Sequence, residues 1–272
     1  MAKSESILAP IFKKMSPADA AAWASDPYDA DKRARGMNML ANAPFGGADV
    51  YVSLYRERLK DDHAPVRAIA CRALGLHGGP DDVPLLLPLT KSDDIAVRLE
   101  AVRALQRLHN PAAIPALIER AQIDRRSMDL TGNATLIPLE PEADIRTEAV
   151  SALGQYADPS VLQILINALG DPNLIVNKAA HESLRTLTGN DDLPPDRKQW
   201  LSWLKTTDKP FANRRAYVYP VFWRESRWLD YVPFAPPVPN ETASTPAGFS
   251  LEEPTGATPA PASATSSAKK GD

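Results

Sequence analysis

The chain has 272 residues, 44% hydrophobic and 24% charged, with a formal net charge of −3 and a pI near 5.9. That balance gives no whole-chain attraction towards nucleic acid, and the single cysteine, Cys71, excludes an internal disulfide. No apolar run is long enough to span a membrane. The N-terminal stretch MAKSESILAPIFKKMSPADAAAW lacks the continuous hydrophobic region of a secretory signal. The expected location is the cytoplasm. An export signal upstream of Met1 would instead make the protein an exported or lipid-anchored assembly factor.

Taken in order, residues 1–29 form an N-terminal segment with one short helix, opened by Ser16 with Pro17 in the first turn. Residues 30–60 read as a degenerate capping repeat. Arg33, Gly36 and Leu40 precede Arg67, Ala70 and Leu74 by 34 residues, and terminal repeats of a solenoid are atypical because one face meets water. From 61 to 189 one pattern returns four times, as APVRAIACRAL, IAVRLEAVRAL, ADIRTEAVSAL and LIVNKAAHESL. Val66 to Val97 and Ile145 to Val176 each span 31 residues, while Val97 to Ile145 spans 48. At those offsets Leu74, Leu105, Leu153 and Leu184 coincide, as do Arg67, Arg98 and Arg146. A fixed period of this size means stacked supersecondary units. Intervals of three and four within each unit give the apolar stripe of an amphipathic helix. Gly and Pro then break the chain before a second, shorter apolar run. Aspartates at 61–62, 93–94 and 171 are expected to cap helix starts.

The excess between the second and third units is an insertion, 124–141, either structural decoration or a partner-contact loop. Within it TLIPL forms a short strand or lies on the solenoid edge. Residues 190–234 combine a C-terminal cap, WLSWLK with Trp200 and Trp203 one turn apart, with an aromatic-basic strap, FANRRAYVYPVFWRESRWLDYVPF. The tail, 235–272, is rich in Pro, Ala, Ser and Thr and is expected to be disordered.

The motif D-x-x-V-R-x-x-A-x-x-A-L, from Asp62 to Leu74 and, one residue shorter, from Asp94 to Leu105, resembles the HEAT-like repeat, in particular the short type of phycobilisome-lyase-like bacterial proteins. The resemblance implies an all-α fold, a right-handed α–α superhelix of the HEAT/armadillo-like solenoid kind. The group includes scaffolds, bilin lyases and a di-iron hydroxylase, deoxyhypusine hydroxylase, so fold alone assigns no chemistry. The hydroxylase binds iron through several His-Glu pairs. This chain has one, His181-Glu182, with Cys71-Arg72, Val102-Arg103 and Val150-Ser151 at the aligned positions. The C-terminus, with Trp-x-x-Trp and Tyr-x-Tyr-Pro, also resembles bacterial HEAT-repeat proteins, which implies no activity.

The residues themselves give no catalytic constellation, metal set or cofactor. His77 and His109 occupy equivalent helix-to-helix turns, where the helix dipole favours a His and no third ligand accompanies them. Arg67, Arg98 and Arg146 each sit just after an Asp-rich turn (Asp62, Asp94, Asp144) and are expected to tie repeats together through hydrogen bonds and ion pairs to those turns rather than bind an anion. The candidate partner-binding residues are Trp200, Trp203, Tyr217, Tyr219, Trp223, Arg224, Arg227, Trp228 and Tyr231, since Trp, Tyr and Arg are frequent interface anchors. Their plainer use is to fold back over the apolar end of the last repeat; docking another protein, or contact with nucleic acid or a membrane surface, are the alternatives. The expected function is a non-catalytic scaffold that binds a protein partner through its solenoid surface, with an enzyme of the same repeat family as the alternative.

Overall fold

In the computed structural model the described residues are 16–128, 134–219 and 244–251. The architecture is an all-α solenoid with one small β-hairpin let into it. Its elements are α1 (Pro17–Ala24), α2 (Ala30–Ala41), α3 (Asp49–Arg58), α4 (Ala64–His77), α5 (Val83–Leu86), α6 (Ile95–Arg107) and α7 (Ile114–Ala121). After the strands β1 (Ile123–Met128) and β2 (Ala134–Pro138) come α8 (Ala143–Leu153), α9 (Pro159–Ala168), α10 (Leu174–Thr188) and α11 (Arg197–Thr206).

First helices form one layer, in which α2, α4, α6, α8 and α10 each pack on the next. The second layer carries α3, α7, α9 and α11, with α5 reduced to a single turn. Sequence accounts for that shortening: Pro88 has no N–H to continue the helix, and the chain runs into a 3₁₀ turn over 87–91. The predicted stripes are the core. Leu74, Leu105, Leu153 and Leu184 are all 0% exposed, with Val66, Val97, Ile145 and Val176 equally buried beside them. Each such side chain contributes roughly 1.5–3 kcal/mol by leaving water.

The insertion supplies the hairpin. β1 and β2 pair antiparallel from Ile123↔Pro138 to Met128↔Ala134, with an irregularity between Asp124 and Ser127. Leu139 N–H donates to Gln122 O at 3.1 Å, so the hairpin closes at its base and α8 resumes the solenoid in register.

The capping expectation needs correction. Of the turn aspartates, Asp94 caps its helix, accepting from Val97 N–H. α4 has no side-chain cap at His63, and α10 is capped by Asn173. Asp61 and Asp171 instead accept the N–H two residues on, from His63 and Asn173. That bond shapes the turn and leaves the carboxylate for an arginine of the preceding repeat.

Candidate interaction surface

Each first helix starts at one edge of the solenoid and ends at the other, so the fold presents two long edges. The edge where repeats begin carries an arginine ladder. Arg67, Arg98 and Arg146 each donate from Nη1 to the carbonyls six and five residues before them, in their own entry turns, at 2.8–3.1 Å. Three ladder arginines also reach an acid at the next repeat's entrance. Arg33 clamps Asp61 at 2.8 and 2.9 Å and adds Asp62 at 2.9 Å. Arg98 reaches Glu140 at 3.2 Å, and Arg146 clamps Asp171 at 2.8 and 2.9 Å. The Arg146 and Asp171 side chains are 4% and 0% exposed. A bidentate pair at that depth is held by geometry as well as charge.

The acids occupy one register position, six residues before the next ladder site: Asp61, Glu140 and Asp171 precede Arg67, Arg146 and Asn177. Arg67 has no such acid ahead, because Ser92 fills that position before Arg98. Glu140 was missed in the sequence because it falls inside the insertion; its spacing from Arg146 is the signal that would have found it. Arg120 adds a second bond to it at 3.0 Å. The same entrances carry exposed apolar residues: Ile95 opens α6, Leu139 precedes α8, and Leu174 and Ile175 open α10, exposed by 50%, 48%, 79% and 62%.

The opposite edge, where first helices end, is covered by chain from far downstream. After α11 the strap turns back. Arg215 N–H donates to Thr186 O at 2.8 Å, and its guanidinium pairs with Asp191, whose carboxyl this contact and Arg185 hold below the usual range. The strap crosses Gly189, whose φ of 67° ends α10; a Cβ there would come 2.2 Å from Asn213 O. Tyr217 is buried, with its hydroxyl towards the Gln106 amide but short of hydrogen-bonding geometry. Burial pushes its pKa up. Tyr219 lies under the Arg107 guanidinium, 5.3 Å from the ring centroid, a cation–π arrangement.

Beneath the strap, side chains stitch repeats together. Asn110 donates to Pro80 O at 3.0 Å, and Tyr156 Oη donates to Asn110 O at 3.0 Å. His109 stacks on Tyr156 with centroids 4.9 Å apart, and its Nδ1 lies 3.0 Å from Gln155 Oε1. Because Gln155 donates its own amide to Leu105 O, its oxygen is an acceptor and Nδ1 carries the proton. His77 donates instead to Ala41 O at 2.7 Å and stacks on Tyr55, so the two turn histidines are engaged separately.

Trp200 is 0% exposed, donates to Pro194 O at 2.9 Å, and meets His181 and Trp203 edge-on. Trp203 packs half-buried on the core. Thus Trp200 and Tyr217 are buried within the chain, while Trp203 and Tyr219 are half-buried against it. Trp223, Arg224, Arg227, Trp228 and Tyr231 lie outside the described residues. His181 donates to Leu193 O, while Glu182 pairs with Arg185, so the one His-Glu pair is divided between two structural contacts. Among the described residues Asp61, Asp62 and His63 bring possible metal-ligand atoms within 4.8 Å of one another. Arg33 and Arg58 already neutralise that cluster. No helix among the described residues is long and apolar enough to cross a membrane.

Most of the tail, 235–243 and 252–272, lies outside the described residues, but Ser244–Leu251 within it is placed against the end of α6. Sequence composition could not reveal this, because the contact is made largely by main chain.

Paired helices stacked in register, with an arginine ladder along the edge where repeats begin, define an α-solenoid of the HEAT/armadillo kind. The chain belongs to the HEAT-repeat family: the model for HEAT repeats matches residues 53–129 and 134–216, more than half of it. No curated protein matches the sequence. Solved structures that resemble it include an engineered protein, at 17% identity over 71% of this chain and 92% of that one with a TM-score of 0.49. A designed armadillo repeat protein matches at 15%, over 74% and 95%, with a TM-score of 0.47. The complex of CpcE and CpcF of phycocyanin lyase from Nostoc sp. PCC7120 matches at 20%, over 68% and 79%, with a TM-score of 0.41. These likenesses are distant; they carry no argument about activity or partner and do not single out the phycobilisome-lyase type.

Proposed function

We propose that the protein is a non-catalytic scaffold that binds a protein partner through its solenoid surface. The observation that carries this reading is the set of exposed apolar residues at the edge where repeats begin. Scattered single apolar residues on a surface need no explanation, but apolar residues repeated along one edge are the usual mark of an interface. Ile95, Leu139, Leu174 and Ile175 recur at the entrances of three successive first helices. The arginine ladder at the same entrances fixes their spacing, so they form a preorganised surface and lose little freedom on binding.

The test is affinity co-purification from the native cell, comparing wild type with Ile95→Ser/Leu174→Ser/Ile175→Ser. These side chains are exposed, so circular dichroism and melting should be unchanged. A partner held by wild type and lost by the triple variant supports the reading. A partner held equally by both removes this edge as the interface, and none with wild type favours an enzyme of the repeat family. Point variants are better than truncation at Gly189, which would uncover the apolar surface that Trp200 now fills.

A further inference from the structure

The segment Ser244–Leu251, STPAGFSL, reaches the end of α6 beside Tyr219 and makes contacts of a specific kind. Ala247 N–H donates to Arg107 O at 2.8 Å, and His109 N–H donates to Ala247 O at 2.8 Å. Together they form a parallel bridge between Ala247 and Leu108. Leu108 has left the helix for extended backbone, φ −119° and ψ 111°, so the groups flanking it face outward as the edge of a strand does. Pro246 is buried and Phe249 half-buried, with the Phe249 ring edge-on to His109 at 5.3 Å. Gly248 has φ +82°, and a Cβ there would lie 2.5 Å from Pro80 Cγ and 3.3 Å from His109 O. At the segment's start, Tyr219 N–H donates to Ser244 O, and the two hydroxyls lie 2.6 Å apart. Proline, glycine and the aromatic residue thus each answer a separate requirement of the corner.

We propose that this corner is a peptide-binding site for an extended Pro-small-Gly-aromatic segment carried by a partner protein, and that Pro246–Phe249 is the chain's own copy of that ligand, held in cis. Main-chain pairing supplies affinity and the side-chain seats supply selectivity, as in other additions of a strand to an exposed edge. The cis copy is pinned at its two ends, by Tyr219 at Ser244 and by Arg214 Nη2 donating to Leu251 O, and in the middle only by the bridge. Ala247, Gly248, Ser250 and Leu251 stay exposed, and two main-chain hydrogen bonds carry the bridge. Carried in the same chain, the segment competes intramolecularly, which fills even a weak site. A partner that adds contacts outside the corner displaces it. Because α6 runs from Ile95 to Arg107, the corner lies about 18 Å from the exposed apolar entrances. The inference therefore stands whether or not those entrances bind a protein.

The test uses the full chain with Gly248→Val/Phe249→Ala, which disables the cis copy and leaves the corner intact. Fluorescein-labelled STPAGFSL peptide is titrated by anisotropy. Saturable binding to this variant is expected, with wild type at least about tenfold weaker because its own segment competes. A peptide with valine in place of its glycine, and the same protein variant with His109→Ala added, should each lose about tenfold or more. No saturable binding to the tail variant, equal binding to wild type, or equal binding of the valine peptide would overturn the proposal. A concentration-dependent wild-type dimer abolished by Gly248→Val would assign the corner to a second copy of this chain and overturn the partner reading.

Discussion

The two edges of the solenoid differ in how regularly they are held. Where repeats begin, each link is a charged group from one unit meeting a carbonyl or carboxylate of its own or the next unit, repeated in register from Arg33 to Asp171. Where first helices end, the links are irregular: neutral ones through Asn110, Tyr156 and His109, a charged clamp of Arg56 on Asp82, and a surface covered by chain that arrives from 207–219 and 244–251. The first edge is built by the repeat itself. The second is finished by segments that belong to no repeat.

Leu105→Asp should have the largest effect, because it removes the core beneath both edges. An unpaired carboxylate at a 0% exposed position should cost more than about 4 kcal/mol and abolish the cooperative melt. Wild-type-like thermal stability would refute the repeat register.

The ladder makes a graded prediction. Arg146→Ala leaves Asp171 buried without its partner, and urea unfolding should report a loss of about 3–5 kcal/mol. Arg67→Ala removes only bonds to its own turn carbonyls and should cost about 1 kcal/mol. Equal losses would mean that the acid of the neighbouring repeat contributes nothing.

On the other edge, Tyr217→Ala should free the strap and leave the repeats folded. Amides over 207–219 should lose hydrogen-exchange protection while the melting midpoint of the solenoid moves little. Global unfolding in this variant would show that the strap is part of the repeat core.

The smallest expected effect is at Cys71. Burial pushes its thiol up to about 12, so at pH 8 it is protonated as well as inaccessible. Alkylation of native protein should be negligible, and should stay so in Tyr217→Ala. It should appear in Leu105→Asp.

The contrast between the edges also explains what could be read from sequence. A stripe such as Val97, Ala101, Ala104 and Leu105 is local, repeats at a fixed period and is selected by burial, so the solenoid and its core were legible. The arginines were legible as ties between repeats, but their carboxylate partners only in part. The acids that most closely precede Arg98 and Arg146 are Asp94 and Asp144, yet the carboxylates they reach are Glu140 and Asp171, at the next repeat's entrance. The aromatic residues of the C-terminal segment drew notice as binding anchors, yet Trp200 and Tyr217 are buried within the chain. Composition cannot separate an aromatic that docks outward from one that docks back. The 244–251 contact was illegible because backbone N–H and C=O groups carry it and every residue has them.

Native-state hydrogen exchange on the full chain tests the division between a self-built edge and an added one most directly. The account predicts that amides within α6, α8 and α10 exchange only through global unfolding. Those of Arg215, Ala247 and His109, which bond across to or from the added segments, should open at distinctly lower free energy. Protection of these three amides equal to that of the repeat helices would contradict it, and would make strap, tail segment and solenoid one cooperative unit.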